Sequence, residues 1–341
     1  MRYPDPLRPG DLIAVTSPSS GVASAMWPRL EACVADLRAR GFEVRVGDCM
    51  AGDTVTSAPA AERAAELTEM LLDPRVRAVV PPWGGELAID LLALLDLEAL
   101  ARAEPTWLVG YSDTSTLLLP LTTVTGTATL HGPGLMDTPF RVPAPLRHWL
   151  DVAGTARGGT VEQGAASHHQ ARWPDLVADP GCREQPLTVP TRWRRLDGGT
   201  DPVQMTGRLI GGCLETVSML PGTPYGDVAA FAARHAPEGL LVYLEVAESG
   251  ATVAARMLHH LRLAGWFAQA RGVLVGRTGA PAGHGLSQDD AVRDALGDLG
   301  VPVLLDVDLG HVPPQLALVN GALATARLDG AGVGTLVQRL V

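Results

Sequence analysis

Cysteine is scarce in this chain and never clustered. The four cysteines, Cys33, Cys49, Cys182 and Cys213, form no CxxC pair, which argues against a zinc knuckle or a disulfide framework. Four reduced thiols in a cytoplasmic protein are expected instead. Metal-binding frames are missing too. His168 and His169 are adjacent, as are His259 and His260, and neighbours on one helix or strand point in different directions, so no metal is expected. No GxGxxG opens the chain and "GGELAI" is not a P-loop, so no cofactor is expected. The N-terminal "MRYPDPLRPGDLIAV" has Pro and Asp where a signal peptide needs an apolar stretch, and no apolar run is long enough to span a bilayer. A basic surplus is also lacking. The formal net charge is −10, which argues against a nucleic-acid partner but leaves room for a small substrate bearing a phosphate or carboxylate.

What is present suits a large α/β protein. The 341 residues are 46% hydrophobic and 19% charged, enough for a substantial core and too many for one typical domain. Up to about residue 140, strand and helix signals alternate. "DLIAVTSPSSG", "FEVRVG", "VRAVVPPWGG" and "TWLVG" read as strands. "MWPRLEACVADLRARG", "SAPAAERAAELTEMLLDP", "ELAIDLLALLDLEALARAEP" and "TSTLLLPLTTVTG" read as helices, with Ser57 a cap for the second and Gly41 a stop for the first. Such alternation predicts parallel strands with crossover helices. Residues 141–205 are rich in Pro, Gly, Arg, His and Trp and read as irregular loop with short strands, and a long ordered loop of this kind is often functional. From 206 to 341 the alternation resumes. "RLIGGCLETVSMLPGTPYG" reads as a Gly turn into a helix, followed by a strand "GLLVYLEVAES", a helix, a strand "ARGVLVGRTG", and a helix with several strands.

In open parallel sheets, function collects at the carboxyl ends of strands. Three loops qualify: Ser17–Gly21, Trp83–Glu86 and Gly110–Asp113. Ser112 follows "TWLVGY", Glu245 ends "LLVYL" with Glu248 three residues later, and His311 follows "PVLLDVDLG". A Ser, a carboxylate and a His are the parts of an activated hydroxyl nucleophile, because the hydroxyl is weak until an imidazole takes its proton and a carboxylate orients that imidazole. Either glutamate suits the last role. A tetrahedral intermediate also needs amide donors. The Gly84–Gly85 pair lets backbone approach a substrate closely, and the amide of Asp113 lies at a helix start.

In order along the chain, "LRPGDLIAVTSPSS", "WGGELAIDLLALLD", "GYSDTSTLL", "LHGP", "GRLIGGCLE", "LEVAES" and "GH" resemble the LD-carboxypeptidases, and within them the microcin C self-immunity branch. The resemblance implies a metal-independent serine peptidase with Ser112 as nucleophile, His311 as base and Glu245 as carboxylate, Glu248 being the second candidate. It implies oxyanion amides at Gly85 and Asp113. The implied fold is a Rossmann-like N-terminal lobe with a parallel sheet, holding Ser112, and a β-rich α/β C-terminal lobe holding the other two. Relatives are typically cytoplasmic homodimers. The branch implies hydrolysis of an aminoacyl or peptidyl group from a modified nucleotide, where an indole can stack on the base; Trp173 is the first candidate and Trp193 the second. The alternative is release of terminal D-alanine from murein tetrapeptide. A catalytically silent ligand-binding protein on the same fold is the reading of another class.

Overall fold

In the computed structural model, which describes residues 1–341, every apolar run of the first 110 residues that reads as a strand forms one. The order is β1 (Leu12–Val15), α1 (Trp27–Ala39), β2 (Glu43–Val46), α2 (Ala60–Leu72), β3 (Val76–Val79), α3 (Leu97–Arg102), β4 (Trp107–Gly110), α4 (Ser115–Thr125) and β5 (Thr129–His131). These five strands pair in parallel in the order β5-β4-β3-β1-β2. Parallel strands need crossovers, and the helices between them supply these. β1 and β4 are almost wholly buried, as expected of strands covered on both faces.

Two helix expectations differ from the structure. Residues 86–105 do not form one continuous helix. A short 3₁₀ turn at Ala88–Leu91 is followed by a break, and α3 starts afresh where Asp96 caps it by accepting from the Ala99 amide at 2.8 Å. The amide of Ala88 is drawn off to the Asp113 carboxylate at 2.7 Å. Ser57 does not cap α2, which begins at Ala60 behind Pro59; its hydroxyl donates to the carbonyl of Ser17 instead, at 2.6 Å.

The middle of the chain contributes α5 (Trp149–Ala153), β6 (Thr160–Gly164), β7 (His168–Gln170), β8 (Leu187–Pro190) and β9 (Arg194–Arg195). β7 and β8 pair as an antiparallel ribbon, while β6 and β9 form the two edges of the second large sheet.

The remainder is β10 (Val203–Cys213), α6 (Leu214–Val217), α7 (Val228–His235), β11 (Leu240–Glu245), α8 (Ala251–Leu263), β12 (Ala270–Gly276), α9 (Gln288–Leu296), β13 (Val303–Val307), β14 (Leu318–Asn320), β15 (Leu323–Leu328) and β16 (Gly334–Arg339). The second sheet runs β6-β16-β15-β10-β11-β12-β13-β9. Its centre, β10 to β13, is parallel and its flanks are antiparallel. Gly211 and Gly212 do not turn the chain into a helix; β10 runs through both to Cys213, and α6 is a single turn. The reason is packing: a Cβ on Gly211 would lie 1.7 Å from the Tyr243 carbonyl oxygen on β11.

The architecture is α/β, a Rossmann-like N-terminal lobe with a parallel sheet and a β-rich C-terminal lobe. The two sheets are stitched together by β14, which leaves the second lobe to pair antiparallel with β5. Asn320 at its end accepts from the Tyr243 hydroxyl at 2.8 Å and donates to Thr129 at 3.1 Å. One buried amide thus bridges β11 of the second sheet and β5 of the first. No helix is long and apolar enough to cross a membrane.

Candidate active site

Ser112 stands just past the end of β4, in a short 3₁₀ turn that feeds α4. Its φ of 57° lies in the left-handed region, which is costly for a residue with a side chain. Such an unfavourable conformation persists where surrounding structure enforces it, and it lifts the hydroxyl clear of the backbone. Glu245 is the last residue of β11 and is fully buried. His311 lies in the loop between β13 and β14, next to Gly310, whose φ is +90° and where a Cβ would come 2.5 Å from Glu245 Oε2. Only a glycine lets this loop close on the carboxylate.

The three side chains form one hydrogen-bonded chain. His311 Nδ1 is 2.8 Å from Glu245 Oε2, and His311 Nε2 is 3.0 Å from Ser112 Oγ. A buried carboxylate only accepts, so Nδ1–H donates to it and Nε2 is left to accept from the serine hydroxyl. Burial alone would lower the affinity of His311 for a proton, but the charge and hydrogen bond of Glu245 outweigh it and hold the imidazole above its ordinary value. Tyr111 packs on this ring, centroids 5.0 Å apart. Behind it lies His131, which burial pushes down to about 4 and so keeps neutral.

Glu248 does not join this chain. It is exposed, and only its backbone amide is engaged, donating to Glu215 at 3.1 Å. The register of β11 explains this: Glu245 closes the buried strand, and three residues on the chain has turned outward into a loop. Glu215 gathers that loop by accepting from the amides of Ala247, Glu248 and Ser249 at 3.0–3.1 Å.

The three strand-end loops meet. A Cβ on Gly84 would lie 2.8 Å from the Asp113 amide nitrogen and 2.8 Å from the Ser112 Cβ, so the Gly84–Gly85 backbone lies directly over the serine. The amides of Gly85 and Asp113 have no acceptor among the loop and side-chain hydrogen bonds. The Asp113 carboxylate faces the other way and is buried. It accepts from Ser19 Oγ at 2.6 Å, from the Ala88 amide at 2.7 Å and from Thr116 at 3.2 Å. Ser19 Oγ accepts in turn from the amides of Glu86 and Leu87, at 2.9 and 3.1 Å. Ser19 and Glu215 are the site-shaping residues that sequence reasoning passed over. Ser19 lay inside a loop already singled out, but nothing in the sequence says which of its serines turns inward.

The two tryptophans have different fates. Trp173 is 43% exposed and lines a cavity of about 600 Å3 whose wall includes His311. Trp193 is only 1% exposed and its indole Nε1–H donates to Asp308 at 2.6 Å. A ring sealed in the core cannot stack on a ligand, so Trp193 is corrected to an internal anchor. Arg277 completes that anchor, 2.9 Å from the other oxygen of Asp308. All four cysteines are free thiols, and burial with two nearby glutamates holds Cys213 well above the ordinary thiol range.

Comparison with known proteins identifies two matched stretches of the chain. Residues 13–132 match the LD-carboxypeptidase N-terminal domain and residues 206–326 the LD-carboxypeptidase C-terminal domain. A presumptive carboxypeptidase of Vibrio cholerae is 29% identical over 340 residues, 96% of each chain. The microcin C7 self-immunity protein of Escherichia coli is 25% identical over 346 residues, 98% of this chain and 96% of the relative. A solved structure of that type of protein, in complex with glutamyl sulfamoyl guanosine, superposes with a TM-score of 0.79 at 22% identity, covering 98% of both chains; this likeness is one of fold.

Proposed function

The chain belongs to the LD-carboxypeptidase family of peptidases, and on that premise we propose that it is a serine hydrolase in which Ser112 is the nucleophile, His311 the general base and Glu245 the carboxylate that orients it. The observation that carries this reading is the unbroken Ser112–His311–Glu245 hydrogen-bond chain. As Ser112 Oγ attacks a substrate carbonyl carbon, its proton passes to His311 Nε2. The imidazolium so formed is stabilised by the buried charge of Glu245. The carbonyl oxygen becomes an oxyanion between the amides of Gly85 and Asp113, which are rigid because the Asp113 carboxylate and Ser19 hold their loop. His311 then gives the proton to the departing nitrogen, the C–N bond breaks, and an acyl-serine remains. Water, deprotonated by the same imidazole, hydrolyses it.

The substrate we propose is an aminoacyl- or peptidyl-nucleotide amide. Trp173 supports this choice: it is an exposed indole on the cavity beside His311, and an indole face stacks on any base. Two substrates decide the matter. Purified protein incubated with an aminoacyl-sulfamoyl adenylate and, separately, with an L,D-murein tetrapeptide is expected to convert the first faster, with products read by mass. Faster release of terminal D-alanine from the tetrapeptide would replace this substrate by a cell-wall peptide and leave the catalytic assignment intact. Turnover of neither would count against the hydrolase reading itself.

A further inference from the structure

His131, from the "LHGP" stretch, is the last residue of β5 and pairs with Gly110 of β4 on one side and Leu318 of β14 on the other. It is fully buried, and neither of its ring nitrogens has a hydrogen-bond partner among the protein's own groups. An unpaired polar group in the interior is costly, and an apolar side chain would fill the same place without that cost. A second unpaired polar atom belongs to the triad itself. Glu245 engages His311 through Oε2, while its other oxygen, Oε1, is buried and has no donor. The two groups share one cluster. Tyr243 lies two residues before Glu245 on β11, hence on the same face of the strand, and its ring meets His131 edge-on, centroids 5.1 Å apart. Tyr111 meets His131 edge-on at 6.4 Å and packs on His311 at 5.0 Å. Burial lowers the proton affinity of His131, and the charge of Glu245 reaches it in the opposite direction.

An imidazole N–H and a carboxylate oxygen are complementary, and each of these lacks what the other offers. They are not bonded directly. A single water can accept from the N–H and donate to the carboxylate at once. We infer that His131 is a positioning residue of the proposed triad, which through one buried water supplies the hydrogen bond that Glu245 Oε1 lacks and so fixes the carboxylate on His311. The inference rests on the hydrolase reading above and adds to it a second hold on Glu245, reaching from the N-terminal lobe into the C-terminal one. Histidine suits this task better than lysine or arginine. A cation beside Glu245 would compete with the imidazolium of His311 for its charge, whereas burial holds His131 down to about 4 and so neutral. Tyr111 and Tyr243 stay uncharged too, because burial raises their hydroxyls well above the ordinary range. Against burial, the charge of Glu245 raises His311, and Glu215 and Asp137 add to it in the same direction. Replacing a neutral His131 alters none of these charges.

The test reads the titration of His311 by NMR in protein without substrate, so it is independent of turnover. His131→Phe keeps an aromatic ring against Tyr111 and Tyr243 and removes the N–H. A carboxylate with one donor fewer is a stronger base, so the His311 midpoint should move up by about half a pH unit or more. His131→Asn and His131→Gln each place an amide N–H where one ring nitrogen lies, and one of the two should return the midpoint to its wild-type position. In His131→Phe, kcat should fall about tenfold with KM little changed, because Glu245 is held by one oxygen only, and the same amide variant should recover it. A merely structural His131 would give a loosened His311–Glu245 pair, with the midpoint unchanged or lowered in all three variants. That outcome, or an equal rise in all three, would overturn the inference. The wild type supplies a check that needs no substitution. His131 should titrate near pH 4, and titration near the ordinary value of about 6.5 would overturn the inference, since a cation would then stand beside Glu245. If the wild type turns over neither substrate, the hydrolase reading fails, while the His311 midpoint still decides whether His131 holds Glu245.

Discussion

His311 Nδ1 lies 2.8 Å from Glu245 Oε2, across a sequence gap of 66 residues, with the carboxylate completely buried. The pair raises the proton affinity of His311 above the ordinary imidazole value of about 6.5. Because the proposed reaction needs neutral imidazole, the acidic limb of kcat/KM should fall above pH 6.5 and move down when Glu245 is replaced by Gln. Stability carries the opposite sign. A raised folded value contributes stability that is fully present below about pH 6.5 and is lost as pH rises through the folded value. Glu245→Gln should cost far more turnover than Glu248→Gln, whose side chain contacts nothing in the site. Rate profiles of the wild type and both variants check this, and equal losses would remove Glu245 from its assigned role.

Ser112→Ala should reduce turnover by several orders of magnitude with folding intact, since the members of the proposed triad act as a unit. Ser112→Gly should be equally inactive. It should also be more stable than Ser112→Ala by up to about 1 kcal/mol, because glycine relieves the left-handed backbone at φ 57°. Calorimetry of the two variants side by side tests the conformational cost, and a less stable Gly variant would contradict it.

Ser19→Ala removes the hydroxyl that ties the Asp113 carboxylate to the amides of Glu86 and Leu87. The loop carrying the Gly85 amide should then be less well aimed. A fall in kcat of about tenfold to a hundredfold with KM little changed is expected, because the lost alignment matters mainly at the transition state. A rise in KM alone would point to a role in binding instead.

The two tryptophans should separate cleanly. Trp173→Ala should raise KM for a nucleotide-bearing substrate by roughly ten- to a hundredfold, following about 1–3 kcal/mol per stacked base, and leave a short peptide substrate almost untouched. Trp193→Phe should instead lower stability by about 1–3 kcal/mol, because the buried Asp308 loses its indole donor. It should affect all substrates alike. Kinetics on both substrates, paired with denaturant titration, distinguishes the two outcomes.

Glu215 is partly buried, which alone would raise its carboxyl, but three consecutive amide donors prevail and hold it below the usual glutamate value. A depressed folded value contributes stability above the unfolded pKa that is lost as pH falls through the folded one. The stability gap between wild type and Glu215→Gln should therefore be widest near neutrality and narrow toward about pH 3. Urea midpoints across that range measure it, and a constant gap would mean that the amide donors do not depend on the charge.

Much of this was decided locally. The period-two and period-3.6 patterns of the first 130 residues are set by which side chains must leave water, so β1 to β4 and the helices α1, α2 and α4 could be read from the chain alone. The same holds for Ser112, Glu245 and His311 as residues at strand ends, and for Gly84 and Gly85 as a close-approach turn. Other features depend on partners distant in sequence. Glu245 and Glu248 are equivalent as letters; the end of a buried strand and the closeness of Gly310 separate them. Trp173 and Trp193 sit in equally irregular stretches, and only the folded chain decides that Trp193 packs into the apolar cluster of the second lobe and donates to Asp308 while Trp173 stays open. The helix expected across residues 86–105 is interrupted after Leu91 and restarts where Asp96 caps α3, while Asp113, from another loop, holds the Ala88 amide at the start of the first turn. Propensity acts within a few residues, whereas burial and hydrogen-bond pairing are settled by what the folded chain brings alongside, and those tertiary neighbours chose which of the eligible side chains became the site.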